Sequence, residues 1–418
     1  MRLSFSVLVI LLLLAAPGAA QTVPPVVAAA PEPPDATREE LLRRAREAKK
    51  DIVHPPRKTT LEKWIARVEP LVMTPPVRRT QPRRGFYPRF GSVAPGGGWA
   101  VGPGYRYERL AGGEIDADVS ARMSWKRYWA LEGRLRMPRL NGGRTALGVF
   151  GRLRDMPQED FYGFGPGSDR DSRVSYALRE LAVGATGEHR LGEGLSVYGG
   201  ADFIRPVTRE GTDTRYPSIE ALFDTSALPG FAGEPDFTVL RAGAVFDRTD
   251  QPGNPRSGPQ YRVEASRWNA GGGAPLTFNA LHADVRQFIP FFNSTRVIAL
   301  RGAVWHTDPA EGAEVPLYYQ PVLGGGRALR GYSEFRFRDR SALLLQAEYR
   351  YNLFPGTDGV VFYEAGTVGR SLGDLDSLKS DYGLGVRFGS AEGVFMRVEA
   401  AFGTPESPRF YIKFSNAF

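Results

Sequence analysis

The sequence contains no cysteine and has few continuous apolar runs. The lack of cysteine excludes disulfides, thiolate metal sites and a lipid-modified N-terminal cysteine. One apolar run, Leu3 to Ala16, follows Arg2 and precedes the small residues Pro17-Gly18-Ala19-Ala20. This is the pattern of a secretory signal peptide, so we expect residues 1–20 to be removed on export. No later stretch approaches the roughly 18 apolar residues that a spanning helix needs. The exported chain is therefore periplasmic, secreted, or a barrel that crosses a membrane with strands.

The motifs of common enzyme classes are also missing. The four histidines, His54, His189, His282 and His306, are scattered, and no two have the spacing of a helical metal site. There is no Gly-x-Ser-x-Gly nucleophile motif, phosphate loop or dinucleotide fingerprint. His282 and Asp284 would share one face of a strand, where we interpret them as a polar pair. We therefore expect no enzyme, no cofactor, no metal site and no nucleic-acid partner.

Positive charge is concentrated near the N-terminus. Residues 21–84 hold 14 Lys or Arg against 8 Asp or Glu, which accounts for +6 of the formal net charge of +8. Pro-rich stretches flank two segments with apolar residues at helical spacing, Ala36 to Asp51 and Thr59 to Val68. We predict that residues 21–84 form a Pro-rich, basic periplasmic segment with two short helices. Three roles stay open: contact with anionic lipid headgroups, a plug in the barrel, and a solvated tail.

From residue 85 onward, apolar side chains alternate with polar or small ones. Between Ser341 and Leu353, five leucine, alanine and tyrosine side chains lie on the face of Leu343, and Gln346, Glu348 and Arg350 lie on the other. Leu344 is the exception on the polar face. A period of two with one apolar face is typical of half-exposed strands. About 16 such strands start near residues 86, 97, 115, 127, 144, 173, 194, 237, 259, 277, 296, 341, 359, 380, 393 and 409.

The strand number and the connections favour a membrane barrel over a water-soluble sandwich. The strands are about 10 residues long, aromatic residues lie near their ends, and the count is even. Connections after odd strands are long (155–172, 207–236, 307–340 and 369–379), and those after even strands are short (139–143, 291–295, 354–358 and 390–392). We therefore predict an all-β fold for residues 85–418: a transmembrane antiparallel β-barrel of about 16 strands with both termini in the periplasm.

The C-terminus has an amphipathic strand that ends on an aromatic residue. Phe410, Ile412, Phe414 and Phe418 are expected to share one face, with Asn416 as the exception. A terminal Phe on such a strand resembles the signal that the bacterial outer-membrane assembly machinery reads. We expect that machinery to be a partner during biogenesis.

The long connection 307–340 carries the segment Gly324-Gly325-Gly326-Arg327-Ala328-Leu329-Arg330-Gly331-Tyr332. This segment resembles the Gly-Gly…Arg-Gly-Phe/Tyr motif of the BamA/TamA superfamily, the bacterial surface antigen barrels. The resemblance implies a loop that folds into the barrel interior between strands 11 and 12. It also implies that inward-facing acidic residues of the next strands hold the motif arginine, Arg330. Glu348 and Glu364 are the candidates, and the second position is usually Asp in the family.

Two further segments resemble the same family. Asp160 to Ser168 contains its Phe-x-Gly-x-Gly stretch, and Asp247 to Gly258 contains its Asp-x-x-Asp…Asn-Pro-x-x-Gly hairpin. The resemblance covers residues 85–418. The departure lies before it: the assembly and secretion branches carry periplasmic POTRA domains, and residues 21–84 are too short and strand-poor for one.

The resemblance implies a non-enzymatic outer-membrane barrel that acts in protein insertion or translocation, or in lipid handling. Its expected partners are outer-membrane lipids, lipopolysaccharide and a protein cargo. The alternative is a passive pore or structural barrel whose in-folded loop only braces the interior. In the family the first and last strands part laterally. Here those strands start near residues 86 and 409, and Pro88 and the Gly-rich stretch 91–98 would weaken that seam.

Overall fold

The structure is a computed structural model that describes residues 84–110, 114–231, 233–251, 253–292, 295–354, 356–390, 393–414 and 418. The predicted signal peptide, the Pro-rich segment up to residue 83 and both predicted helices lie outside these ranges. No helix within them is long and apolar enough to cross a membrane.

Sixteen strands form one antiparallel sheet, which is the wall of the barrel, and each strand pairs with the next strand of the sheet along the chain. Their bounds are β1 Arg84–Gly91, β2 Ala100–Leu110, β3 Ile115–Ser124, β4 Trp129–Arg139, β5 Thr145–Phe161, β6 Val174–Arg190, β7 Leu195–Glu210, β8 Phe237–Asp247, β9 Gly258–Ala270, β10 Phe278–Phe291, β11 Arg296–Pro309, β14 Ser341–Phe354, β15 Thr357–Gly369, β16 Lys379–Ser390, β17 Gly393–Phe402 and β18 Arg409–Lys413. The short strands β12 Val322–Leu323 and β13 Phe337–Arg338 form a separate ladder within the loop between β11 and β14. This confirms the predicted all-β barrel of about 16 strands.

In the part of the chain that the structure describes, helical structure is confined to single turns in the connections. A four-residue turn, α1, covers Leu140–Gly143 between β4 and β5. The 3-10 turns are Ile219–Ala221, Thr225–Ala227, Gly271–Gly273, Leu317–Tyr319 and Leu372–Asp374.

Strand starts agree with the alternation pattern, but three strands are much longer than expected. β5, β6 and β7 have 17, 17 and 16 residues, where about 10 were predicted. The predicted connections 155–172 and 207–236 are therefore too long at their beginnings. For β5 the reason is burial on both faces, because Met156 and Phe161 lie under other loops. Where both faces are covered, the period of two disappears from the sequence.

The exposed face of the sheet is apolar and the buried face is charged, which is the reverse of a water-soluble sheet. On β14 the outward Leu345 and Tyr349 are exposed, whereas the inward Gln346, Glu348 and Arg350 are buried. An apolar outer face and a charged inner face are what a barrel in lipid requires. On β14 the faces assigned from the sequence are the faces observed.

The sheet has two edges, β1 and β18, and no ladder joins them among the described residues. β18 pairs with β17 only over Arg409–Lys413. Across the seam, the Nε1 atom of Trp99 donates to the carbonyl oxygen of Ile412 at 3.3 Å. In β1, Pro88 lies opposite Pro103 of β2, so two backbone donors are missing from that ladder.

The C-terminal residues do not all share one face, contrary to expectation. Phe410 is 75% exposed and Ile412 is also exposed, and Phe414 is partly buried. Phe418, by contrast, is 6% exposed and packs against Phe288, Val297 and Ala299 on the inner faces of β10 and β11. The strand ends at Lys413, so the alternation cannot continue to residue 418. That these residues form an assembly signal stays a prediction.

The long connections pack together on an apolar cluster at one end of the barrel. Val93, Tyr128, Leu228 and Leu317 come from four different connections and are all buried in it. Burying this surface stabilises the loops as a cap, at about 25 cal/mol for each Å² of apolar area removed from water.

Candidate functional site

The loop between β11 and β14, residues 310–340, carries the Arg-Gly-Tyr motif, and we call it the motif loop. It turns back on itself at a tip whose backbone conformation requires glycine. The amide of Gly324 donates to the carbonyl of Ala328 at 3.0 Å, and that of Gly325 to the carbonyl of Tyr332 at 3.1 Å. Both glycines have positive φ, 112° and 94°. A Cβ on Gly324 would lie 2.2 Å from the carbonyl oxygen of Ser333. A side chain at this position would therefore be both strained and blocked.

Arg330 lies at the end of this loop with its side chain wholly buried. Its Nη2 atom is 3.0 Å from Glu348 Oε1 and 2.9 Å from Glu364 Oε1, and its Nη1 atom is 3.1 Å from Glu399 Oε1. Its backbone amide donates to Glu364 Oε2 at 2.7 Å. The guanidinium lies over the Phe362 ring, 3.5 Å from the centroid. The structure thus brings together Arg330, Glu348 and Glu364, and adds Glu399.

Further charges complete a buried cluster around Arg330. Arg387 Nη2 lies 2.6 Å from Glu348 and 3.2 Å from Glu399, and Arg350 Nη2 lies 2.7 Å from Glu348. We call the cluster the arginine cage; its members are Arg330, Arg350, Arg387, Arg397, Glu348, Glu364, Glu399 and Asp381. The cage thus places four arginines among four acids. Burying an ion costs several kcal/mol, so each member depends on its partners.

The rest of the motif is held by the cage and by apolar contacts. The amide of Gly331 donates to Asp381 Oδ2 at 3.0 Å. The Tyr332 ring meets the edge of the Phe337 ring, with centroids 5.0 Å apart. Leu344, the apolar exception on the inner face of β14, packs in the same cluster as Leu329 and Tyr332. An apolar residue points inward here because the loop supplies an apolar surface to meet it.

The loop also contacts the edge strand β18. The Tyr411 hydroxyl donates to the carbonyl oxygen of Arg330 at 2.8 Å. Lys413 Nζ lies 3.3 Å from Glu334 Oε1, and Arg409 Nη1 donates to Ser333 Oγ at 3.2 Å. Every second residue of β18 therefore has a polar contact with the motif loop.

The turn before β18 is tied to the same loop. Glu406 accepts hydrogen bonds from the Ser333 amide and from Arg336 Nε, both at 2.8 Å. The Thr404 hydroxyl donates to the carbonyl of Gly331 at 2.7 Å. The loop thus spans from the cage on β14–β17 to the last strand of the sheet.

Sequence reasoning missed Glu399, Asp381, Arg387 and Tyr411. The signal for the first three was available, because the alternation places them on the polar face of β16 and β17. It did not say which of many inward charges would reach the loop. For Tyr411 the alternation marked an inward position and nothing more.

The Phe-x-Gly-x-Gly segment lies against the outer part of the loop. The amide of Gly165 donates to the carbonyl of Arg338 at 2.9 Å. Arg336 Nη1 donates to Ser168 Oγ at 2.8 Å, and its Nη2 to the Ser168 carbonyl at 2.7 Å. The segment that resembled the family by sequence is therefore a contact of the motif loop.

His282 and Asp284 have separate partners on the inner wall. The His282 ring stacks on Trp305 with centroids 5.0 Å apart. Asp284 pairs with Arg286 at 2.8 Å and with Arg301 at 2.7 Å. Within the described ranges there is no group of three or more His, Asp or Glu residues arranged to hold a metal ion.

Comparison with known proteins identifies the family. The Omp85 superfamily domain matches residues 116–418. BamA from Haemophilus ducreyi lacking POTRA domains 1-3 is similar in structure, with a TM-score of 0.59 and 15% identity over 84% of this chain and 77% of that chain. CdiB from Escherichia coli has a TM-score of 0.51 and 12% identity over 78% of this chain and 61% of that chain. The curated proteins give no match. Identities this low show a shared fold only, but the family match spans most of the chain. The chain therefore belongs to the Omp85 superfamily and is an outer-membrane β-barrel.

Proposed function

We propose that this barrel is non-enzymatic and acts in the insertion or translocation of proteins, or in the handling of lipids, at the outer membrane. The observation that carries the proposal is the position of the motif loop. Its Arg330 is held in the cage on one side, and its backbone accepts a hydrogen bond from Tyr411 of the edge strand on the other. One loop thus connects the wall of the barrel to its seam.

The seam itself supports a role in handling another chain. β18 has only five residues in its ladder with β17, and its other edge faces β1 without a ladder among the described residues. An edge strand presents unpaired N–H and C=O groups that can accept a further strand. Parting β1 from β18 therefore breaks few hydrogen bonds and exposes a template for a protein cargo.

The proposed orientation places both termini in the periplasm, since the number of strands is even. The long connections and their cap then face outward, next to lipopolysaccharide. The outward apolar faces of the strands contact the acyl chains of outer-membrane lipids. The assembly machinery meets the chain during biogenesis through its C-terminal residues.

The second candidate is a passive or structural barrel in which the loop only braces the interior. The three ion pairs of Arg330 favour it, because a loop held in this way needs no cargo to explain it. Both candidates predict a loosened loop when Arg330 is removed. Only the first predicts that the assembly or secretion of other proteins fails with it.

A disulfide across the seam tests the first candidate. The chain has no cysteine of its own, so a cysteine pair joining β1 to β18 creates the only disulfide in the protein. We expect oxidised cells to lose cargo proteins from the outer membrane and to regain them with reductant. A matched pair joining β4 to β5, which are already neighbours in the ladder, serves as the control. Normal outer-membrane protein levels with the β1–β18 seam locked would exclude lateral opening.

A further inference from the structure

The connection between β8 and β9 is held in shape by its own hydrogen bonds, which join residues within the described ranges 248–251 and 253–257. Asp250 Oδ1 accepts hydrogen bonds from the amides of Gln251, Arg256 and Ser257 at 3.0, 2.9 and 3.1 Å. The Asp250 amide donates to the Ser257 carbonyl at 3.1 Å. Gln251 Nε2 donates to the Asn254 carbonyl at 3.0 Å. The second Asp of the family-like hairpin therefore fixes the shape of the turn.

The tip of this turn binds residues on distant strands. Asn254 Nδ2 donates to Asp358 Oδ2 at 3.2 Å, and Arg256 Nη1 donates to both carboxylate oxygens of Asp358, at 3.2 and 3.0 Å. The Val394 amide donates to the Gly253 carbonyl at 3.3 Å. Asn254 and Asp358 are both buried. Asp358 lies at the start of β15, and Val394 lies at the start of β17.

These contacts require the turn to cross the barrel mouth. In the sheet order, β9 is four steps from β15 and six from β17. At the usual strand spacing, six steps along the wall are about 29 Å. Half of the turn spans about 17 Å when extended. The turn therefore cannot follow the wall and cuts across, and Asp358 receives it on the inner face shared with Phe362 and Glu364.

The turn also supports the arginine cage. Arg350 Nη1 donates to the Pro255 carbonyl at 3.4 Å, while its Nε and Nη2 atoms bind Glu348 at 2.9 and 2.7 Å. The Phe418 ring lies 5.3 Å from the Arg350 guanidinium. The turn, the terminal residue and the cage are thus in contact at this end of the barrel.

We propose that the described part of this turn, above all residues 253–257, is a latch that closes this mouth of the barrel to solutes, and that Asn254 and Arg256 hold it closed by docking on Asp358. Asn352 Nδ2 also donates to Asp358 Oδ1 at 3.2 Å, so the carboxylate has partners on both oxygens. A carboxylate with charge-assisted partners in a buried place forms a strong contact. The inference is independent of whether the barrel handles cargo.

A thiol reporter measures access past the latch. Val297 faces inward on β11, is fully buried and lies opposite Arg350 in the ladder. Val297→Cys gives a single thiol in a chain without cysteine. In the purified full-length protein, we expect N254A/R256A to raise the rate of labelling by a polar maleimide at least tenfold. The matched control is Arg248→Ala, which removes the same charge from the same turn but whose side chain is 56% exposed. This control should label at the parent rate.

A reversible disulfide between the turn and β15 tests the latch even if the alanine variant folds poorly. N254C/D358C joins two residues whose side-chain atoms Asn254 Nδ2 and Asp358 Oδ2 lie 3.2 Å apart. Mass spectrometry of the peptide that contains residue 297 then separates labelling of the reporter from labelling of the two added cysteines. We expect slow labelling of residue 297 while the disulfide is closed and at least tenfold faster labelling after reduction. The latch would be overturned if the thiol at residue 297 in a folded N254A/R256A variant labels at the parent rate. It would also be overturned if the rate of labelling of that thiol in the disulfide variant is the same before and after reduction.

Discussion

Arg330 is wholly buried, and three carboxylates share its charge. Such an ion is stable only because each partner is in place, since the interior offers no solvent to replace a lost one. The backbone amides of Arg330 and Gly331 donate to Glu364 and Asp381, so acids of the cage hold the backbone of the motif as well as the Arg330 side chain. At this scale the motif acts as an anchor for the loop.

Removing the guanidinium tests the anchor. Arg330→Ala leaves Glu348, Glu364 and Glu399 buried without their shared partner, and we expect a loss of about 3–5 kcal/mol in the free energy of unfolding. Urea titration in lipid vesicles and heat-modifiable mobility on semi-native gels measure this loss. Arg327→Ala, an exposed arginine of the same loop, is the control and should stay within about 0.5 kcal/mol. Equal stability of the two variants would contradict the anchor.

Gly331 allows the loop to approach β16. A Cβ there would lie 2.6 Å from Thr404 Cγ2 and 2.7 Å from Asp381 Cβ. We expect Gly331→Ala to destabilise the barrel by about 1–3 kcal/mol, because two packed neighbours must move. The same titration measures it. Gly167→Ala, whose Cβ would meet nothing within 4 Å, should be neutral, and the idea fails if both behave alike.

At the scale of elements, β18 is held by the motif loop as well as by its neighbour β17. Its ladder with β17 covers five residues, while Arg409, Tyr411 and Lys413 all reach the motif loop. A strand secured by side chains can be released without unfolding the sheet. This is the property that the proposed seam needs.

Tyr411→Phe tests this attachment. The change removes one hydroxyl and leaves the Arg330 carbonyl without that donor, a loss of about 1–1.5 kcal/mol. Hydrogen exchange of the β18 amides should then be about tenfold faster, as expected for a local opening of that free energy. Tyr349→Phe, which removes an outward hydroxyl from β14, should leave exchange in β18 unchanged. Unchanged exchange in Tyr411→Phe would mean that the ladder alone holds the strand.

The elements also show where pattern reasoning fails. The starts of the strands were predicted well, because turn residues next to each start interrupt the alternation and are visible in the local sequence. The outer end of β5 was missed because the cap buries both of its faces. Burial by a distant loop leaves no trace in a short window of sequence.

For the molecule as a whole, the arrangement of polarity determines where it is stable. Leu384 faces outward on β16 and is among the exposed apolar side chains, while Arg387 on the same strand is buried. In water this arrangement would expose apolar surface, whereas in a bilayer it satisfies both faces.

Leu384→Arg tests this placement. A charge on the lipid-facing surface near the bilayer midplane costs about 2–4 kcal/mol. We expect that loss in urea titrations of the vesicle-inserted protein. The same substitution at Leu378, an exposed residue of the connection between β15 and β16, should have little effect. Similar losses at both positions would place Leu384 outside the hydrocarbon layer.

The sequence by itself determined the barrel, its strand number and the inward or outward direction of most side chains. These depend on the alternation of neighbours, which is a local property of an extended chain. With the family resemblance, it also pointed to Glu348 and Glu364 as neighbours of Arg330. Only the tertiary structure decided that Glu399 and Asp381 join the cage, that Tyr411 reaches a carbonyl 81 residues away, and that Asn254 meets Asp358. Such contacts depend on how the strands tilt and how far a loop reaches across the interior, and no short stretch of sequence contains either quantity.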